Sequence, residues 1–279
     1  MSGTLLVDVG GTHARFAWAD GRGRHSVPLV LKVADFPRIE DAFAQVGPAD
    51  RALVALAGPV RDGVCVLTNN HWGEVRADRL GVPRVTLLND LEAQAWLLPH
   101  LRPDESMLLG GPGQAAGPML LINPGTGLGL ALHILGAGAV PTEGGHATLA
   151  GADAAEDAVL AALRTRFGHA SAERALSGPG FANLAAAGAA EPDAMFMALL
   201  AGFAGSVALA TGARGGAFLA GNILNQRRAA LGDAFVARFR AKGRFHGWLE
   251  AVPLRLITLP EPGLAGLAWL ASLSPRPDG

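Results

Sequence analysis

The first residues with evident chemistry are Asp8-Val9-Gly10-Gly11-Thr12. Glycines let backbone N–H groups come close to oxygens, and a tight turn can gather several of them into an anion-binding nest. Thr12 adds a hydroxyl, and Asp8 at a strand end could hold a hydrated Mg²⁺. The same residues would also make an ordinary hairpin turn with a solvated aspartate. A second loop, Gly125-Thr126-Gly127-Leu128-Gly129, shifts the balance towards phosphate. It is not a Walker A sequence, because no Gly-Lys-Ser/Thr comes after it. Nor is it a dinucleotide fingerprint, since its third glycine is misplaced and its predicted context is strand–turn–strand. Two such loops from opposed halves could hold a triphosphate.

Asn89-Asp90 falls at the predicted carboxyl end of a strand, where α/β sheets place their ligand crevices. A carboxylate there can take the proton of a hydroxyl that attacks a phosphoryl group. Position alone allows another role equally well, that Asp90 merely caps the following helix. Glu143-Gly144-Gly145-His146 offers two polar side chains across a flexible turn, suited to gripping adjacent hydroxyls of a small polyol. As a metal site it is poor, having too few ligands and no close second histidine. The chain has no G-x-S-x-G elbow and no Ser-x-x-Lys, so nothing supports a serine hydrolase.

Composition narrows the classes further. Half of the 279 residues are hydrophobic and 17% are charged, enough to bury a sizeable core and too apolar for disorder. Lys plus Arg number 23 against 24 Asp plus Glu, which argues against a nucleic-acid partner. Cys65 is the single cysteine, so no disulfide framework or cysteine-rich metal site is available, and a reducing compartment is expected. The first residues carry no basic stretch and meet Asp8 at once, unlike a secretory leader. Residues 194–213 are uncharged and long enough to cross a bilayer, but they are rich in Ala and Gly and lack Trp or Lys/Arg anchors. A buried core helix and a soluble, cytoplasmic protein with no membrane partner are expected.

The elements that must position these residues are read from periodicity. Strands are predicted at 5–7, 14–18, 28–33, 52–57, 64–68, 84–88, 119–122, 128–135, 217–220 and 254–259. Helices are predicted at 36–46, 91–98, 155–167, 195–209, 227–239 and 266–273. Pro99 and Pro103 bracket a plausible hinge, after which the pattern restarts. Each half opens with strand, Gly/Thr turn, strand, at Leu5 to Trp18 and again at Leu120 to His133. Two similar α/β halves facing a cleft would account for this weak repeat.

Taken in order, the motifs resemble the bacterial glucokinase family of the hexokinase/actin-like ATPase superfamily. They are Leu6-Val-Asp-Val-Gly-Gly-Thr12, Ala57-Gly-Pro-Val60, Leu67-Thr-Asn69, Leu88-Asn-Asp90, Gly125-Thr-Gly-Leu-Gly129, Glu143-Gly-Gly-His146, Ala172-Glu-Arg-Ala-Leu-Ser-Gly-Pro-Gly180, Gly215-Gly-Ala-Phe-Leu-Ala-Gly221 and Lys242-Gly-Arg-Phe245. The resemblance implies a two-domain α/β fold of the actin-like, ribonuclease H-like type with an interdomain active-site cleft. Its small domain would comprise residues 1–99 with 259–279, and its large domain residues 100–258. It also implies a glycolytic, cytoplasmic homodimer that phosphorylates glucose with ATP and Mg²⁺. Asp90 matches the catalytic base, and Asn89, Glu143, His146 and Glu173 match the glucose-binding residues. Asp8, Gly10, Gly11 and Thr12 match the first phosphate loop, with Mg²⁺ held by Asp8 through water. Thr126 and Gly127 match the second loop, and Gly221 the adenosine-side turn.

The chain departs from the family pattern at a few points. His13 stands where the family usually has Asn, Asn123-Pro124 replaces a Gly-rich pair, and Asn222 stands where a second Gly is expected. Asn tolerates left-handed backbone best among the non-glycines, so Asn222 is expected to keep the turn. The connection around Leu184 to Asp193 is short. These departures leave open a hexose-binding sensor with little turnover and a kinase for another hexose, as well as polyphosphate in place of ATP.

Overall fold

The computed structural model describes residues 3–67 and 70–273, so the Thr68 and Asn69 of the third motif lie outside the described residues. The chain divides into two compact units, Met1–His100 with Pro260–Gly279, and Leu101–Leu259.

The first unit is built on strands β1 (Thr4–Val9), β2 (His13–Trp18), β3 (Leu29–Lys32) and β4 (Arg51–Leu56). A small sheet of β5 (Val60–Arg61), β6 (Val64–Val66) and β7 (Glu74–Arg76) interrupts the order before β8 (Arg84–Asn89). The main sheet runs β3-β2-β1-β4-β8, with β1, β4 and β8 parallel and the β1–β2–β3 meander antiparallel. Ala52 to Leu56 are fully buried, as a strand covered on both faces requires. The predicted helix at 36–46 shrinks to one turn and a half, α1 (Ile39–Phe43). The other face is covered by α2 (Asp90–Ala95) and by the last described helix, α10 (Pro262–Leu273), which share a core with Leu6, Leu53 and Leu88. Gly266 lies so close to the Ala93 carbonyl that a side chain there would collide with it.

The second unit repeats the plan. β9 (Ser106–Gly110), β10 (Met119–Pro124), β11 (Leu128–Ile134), β12 (Gly138–Thr142), β13 (Gly216–Leu219) and β14 (Leu254–Ile257) form a sheet of order β12-β11-β10-β13-β14-β9. Here β10, β13 and β14 are parallel and β10–β11–β12 form the meander. The strand–turn–strand repeat seen in sequence is thus part of a duplicated five-strand order. The helices are α3 (Ala154–Phe167), α4 (Ala172–Ala175), α5 (Gly180–Ala186), α6 (Pro192–Thr211), α7 (Asn222–Gln226), α8 (Asp233–Arg240) and α9 (His246–Glu250). The single helix predicted at 227–239 is broken. Arg228–Leu231 forms a 3-10 turn, and Gly232 takes extended backbone to start α8 afresh.

Among the described residues one helix, α6, is long and apolar enough to cross a membrane. In this fold it packs inside the second unit, with Phe196, Leu200 and Ala204 at 0% exposure. Its glycines allow a close approach to α8. Gly205 admits the Phe239 carbonyl, and Gly202 admits the Arg238 guanidinium. Ser206 and Thr211 return their hydroxyl protons to carbonyls one turn back, Gly202 and Val207, so the helix buries no unpaired hydroxyl at these positions. Leu200→Asp is expected to destabilise the protein by several kcal/mol, on the order of 3–5, by burying an unpaired carboxylate. Urea unfolding at neutral pH measures it, and an unchanged midpoint would contradict this packing.

Candidate active site

In the first unit, three loops leave the sheet along one row. Val9 pairs with Leu56 and Leu56 with Asn89, and the three strands run the same way. The loop Gly10–Thr12, the turn at Gly58 and the residue Asp90 therefore issue from one carboxyl edge. At about 4.8 Å between neighbouring strands, β1 and β8 stand only about 10 Å apart.

Asp8 sits one residue before this row, facing Arg15 across the hairpin. Arg15 Nε donates to Glu261 Oε1 at 3.3 Å, which ties the start of α10 to β2. A Cβ at Gly263 would stand 2.8 Å from Asp8 Oδ2, so only glycine lets α10 approach there. Although the residue keeps some exposure, burial of the carboxyl pushes Asp8 up to about 6 from 3.8. Arg15 pulls it down in part, and Glu261 adds to the rise. The loop itself is braced: Gly10 N–H donates to the His13 carbonyl at 3.0 Å, and Asn70 Nδ2 donates to the Gly10 carbonyl at 3.3 Å. The Thr12 hydroxyl is 3.0 Å from His13 Nδ1, so the His13 departure gives Thr12 a local partner. Gly11 and Thr12 are exposed, and neither Gly10 nor Gly11 takes left-handed backbone.

Asn89 supplies the cap of the following helix. Its side-chain oxygen accepts from the N–H of Leu91 at 2.9 Å and of Glu92 at 3.3 Å, which makes Asn89 the cap of α2. Asp90 is the first helical residue, half-buried, with Oδ1 accepting from the Leu91 N–H at 3.0 Å. Asn89 Nδ2 donates to the Gly58 carbonyl at 3.2 Å. With both oxygen lone pairs and one amide hydrogen engaged, Asn89 keeps a single N–H for any ligand. Cys65 lies buried nearby, and burial with the charge of Asp90 pushes its thiol up to about 11.

In the second unit the remaining residues gather around the β10–β11 loop. Gly125 N–H donates to the Gly127 carbonyl at 2.8 Å, closing the turn that exposes Thr126. Glu173, in the first turn of α4, accepts the Leu128 N–H on Oε2 at 3.0 Å. A Cβ on Gly127 would stand 2.6 Å from that oxygen, so this glycine serves close approach rather than backbone freedom. Gly178 N–H donates to the Gly125 carbonyl at 2.7 Å, which brings the start of α5 against the same loop. Glu143 and His146 flank a 3-10 turn seated on β11, where a side chain on Gly145 would collide with the Leu128 carbonyl. Both are exposed, with His146 Nε2 3.9 Å from Glu143 Oε2. At the end of the neighbouring strand, Gly221 carries the left-handed φ of 98° against Asn123 and Pro124. Asn222 therefore does not need the left-handed tolerance expected of it and simply begins α7.

Sequence reasoning passed over Glu92, Arg15, Glu261 and Gly263. The spacing Asn89-x-x-Glu92 is a capping-box signature and could have been read as such. The approach of Glu261 and Gly263 to Asp8 spans some 250 positions and left no local signal.

The chain is similar to known proteins over nearly its whole length. The family model described as Glucokinase matches residues 5–195 and 189–274. A glucokinase of Paramagnetospirillum magneticum is 38% identical over 96% of this chain and 97% of its own length. Among solved structures, the glucokinase of an Antarctic psychrotroph matches with a TM-score of 0.83 at 29% identity, over 98% of this chain and 100% of that one. The glucokinase of Balamuthia mandrillaris, solved in complex with glucose, has a TM-score of 0.77 at 22% identity over 98% of this chain and 94% of that one. The fold is that of the two-domain α/β sugar kinases.

The state of Asp8 has a consequence for stability. Because its folded value of about 6 lies above 3.8, the folded form binds the proton more tightly than the unfolded chain. Stability therefore falls as pH rises from about 4 through 6, and above that the ionised Asp8 costs up to about 3 kcal/mol. Asp8→Asn is expected to melt a few degrees higher than the wild type at pH 7.5 without nucleotide. That advantage should vanish near pH 4. Thermal unfolding across this range checks it, and an equal difference at both ends would show that Asp8 ionises normally.

Proposed function

The chain belongs to the glucokinase family, and on that premise we propose how it transfers the γ-phosphoryl group of ATP to glucose, with Asp90 as the general base. It is a sugar kinase. The carrying observation is the shared row of Val9, Leu56 and Asn89, which brings the first phosphate loop and Asp90 to one edge of one sheet. Asn89 serves as the helix cap, and in this reading the Asp90 carboxylate, which accepts the Leu91 N–H on Oδ1, takes the glucose 6-hydroxyl proton.

The other roles are those of the family motifs. Gly10, Gly11 and Thr12 lie against the phosphates of ATP, with Thr126 and Gly127 as the second loop and Gly221 beside the adenosine. Glu143, His146, Glu173 and the remaining N–H of Asn89 bind glucose hydroxyls. Glu173 has one oxygen fixed by Leu128 and the other, Oε1, for the sugar. Mg²⁺, when bound, neutralises charge on the phosphates, and Asp8 is the residue that would hold it through water. The donor set fits that ion: one carboxylate, with no cluster of three or more acidic, histidine or cysteine ligands among the described residues, suits a cation that keeps its waters and binds phosphate. Proton abstraction by Asp90 is a modest part of the rate, and positioning with electrostatic stabilisation supplies most of it.

A cytoplasmic, glycolytic homodimer belongs to the same reading. It is supported by the family resemblance, by the free buried thiol of Cys65 and by the packing of α6 within its unit.

Asp90→Ala should lower kcat by on the order of a hundredfold or more, with a smaller change in glucose KM. A coupled assay of glucose-dependent ADP formation reads it, and near-normal kcat would sink the assignment. In titrations, Glu143→Ala and His146→Ala should each weaken glucose binding by roughly 1–3 kcal/mol. Unchanged affinity in both would move the sugar site elsewhere.

A further inference from the structure

We propose that Glu92 is a positioning residue for the transfer, holding Asn89 in the cap of α2 so that Asp90 stays available as the base. The inference rests on the reading of Asp90 as that base.

Two residues side by side can cap this helix, since Asp and Asn are about equally good caps. Both reach for the same donor: the Leu91 N–H points at Asn89 Oδ1, at 2.9 Å, and at Asp90 Oδ1, at 3.0 Å. The second half of the capping box biases the competition. Glu92 Oε2 accepts the backbone N–H of Asn89 at 3.4 Å, while the Glu92 N–H donates to Asn89 Oδ1. This reciprocal pair fixes Asn89 from the helix side. From the other side Asn89 Nδ2 donates to Gly58, whose backbone is itself confined, since a Cβ there would stand 2.7 Å from the Val66 carbonyl oxygen and 3.1 Å from Cys65 Sγ. Without the Glu92 carboxylate, one of the two anchors is lost. The Asn89 backbone N–H is left without that acceptor, and Asp90 is drawn into the cap by the first-turn N–H groups. A carboxylate so engaged is turned from the substrate hydroxyl and weakened as a base.

Nothing in this places Glu92 in contact with substrate. It is half-buried, and its effect passes through residues 89 and 90. A purely structural acid would act on stability and on every variant alike, whereas a positioning residue acts only where Asp90 can work.

The test is a double-mutant cycle on the full chain, assayed well below the melting temperature. Glu92→Ala should lower kcat by roughly ten- to a hundredfold while glucose KM moves much less. Glu92→Gln, which keeps an acceptor oxygen at the same reach, should recover most of that loss. In an Asp90→Asn background, Glu92→Ala should cause no further fall in kcat. If the alanine variant does not fold, Glu92→Asp, one methylene too short to reach Asn89, takes its place with the same expectations. Full kcat in Glu92→Ala, or an equal further fall in the Asp90→Asn background, overturns the proposal. Glu92→Gln as slow as Glu92→Ala overturns it as well. Near-normal kcat in Asp90→Asn alone is a different result, and it removes the base assignment itself.

Discussion

Everything proposed for the first unit depends on β4 being paired in parallel on both sides. Its apolar run, Ala52 to Leu56, is fully buried, so it can sit only at the centre of a covered sheet. That position fixes the register of β1 and β8 together. Because side chains alternate along a strand, a slip of one residue in β1 would turn Asp8 into the face now filled by Val7 and Val9. It would also carry the glycine loop out of line with Asn89. The burial energy of an apolar strand thus sets the spacing between the glycine loop and Asp90.

The second unit applies the same constraint to a different result. There β13 lies between β10 and β14 in parallel, and Ile122, Leu219 and Leu256 form the corresponding row. The loop after β10 again carries Gly and Thr, and β13, the counterpart of β4, leads into Gly221 with its left-handed backbone, while β14, the counterpart of β8, is followed by Thr258 instead of an acid. One duplicated topology therefore presents, at equivalent edges, a loop with a base in one unit and a loop with an open turn in the other. Glu143, His146 and Glu173 come from segments added after the meander, where the two units no longer correspond.

Much of this was legible in the sequence where the signal was local. Both glycine loops, most of the strands and the buried nature of α6 can be read from spacing and composition, while the parallel pairing of the strands comes from the structure. The single helix expected at 227–239 was not there, because the periodicity continues across Gly232 while the backbone does not. The short helices α4 and α5 were not expected at all, since four and seven residues give too little periodicity to register. At Asn89-Asp90, composition alone left cap and base balanced. A third residue, Glu92, completes the capping box on Asn89 through hydrogen bonds that a sequence pattern can suggest but not orient. The Asp8 environment was illegible for another reason: Gly263 and Glu261 reach it from the far end of the chain.

The two ends of the proposed reaction are prepared unequally. Around Asp8 the structure accepts local costs, with a carboxylate raised by burial and Glu261 in left-handed backbone at φ 57°. Such violations of local preference are expected where function demands them. Glu143 and His146 are different, being exposed and joined only by a 3.9 Å contact that places little constraint on either. Under the proposed assignment, the groups that meet phosphate and cation are organised in advance. Among the groups assigned to the sugar, Asn89 and Glu173 are also held in advance by hydrogen bonds, and only Glu143 and His146 are left to acquire their order on binding. Preorganised dipoles and charges contribute most where charge develops, whereas hydroxyl contacts can be formed on arrival without loss of selectivity. Under that assignment the fold fixes the surroundings of Asp8, Asn89 and Glu173 before substrate arrives and leaves the Glu143–His146 turn to be ordered by the sugar.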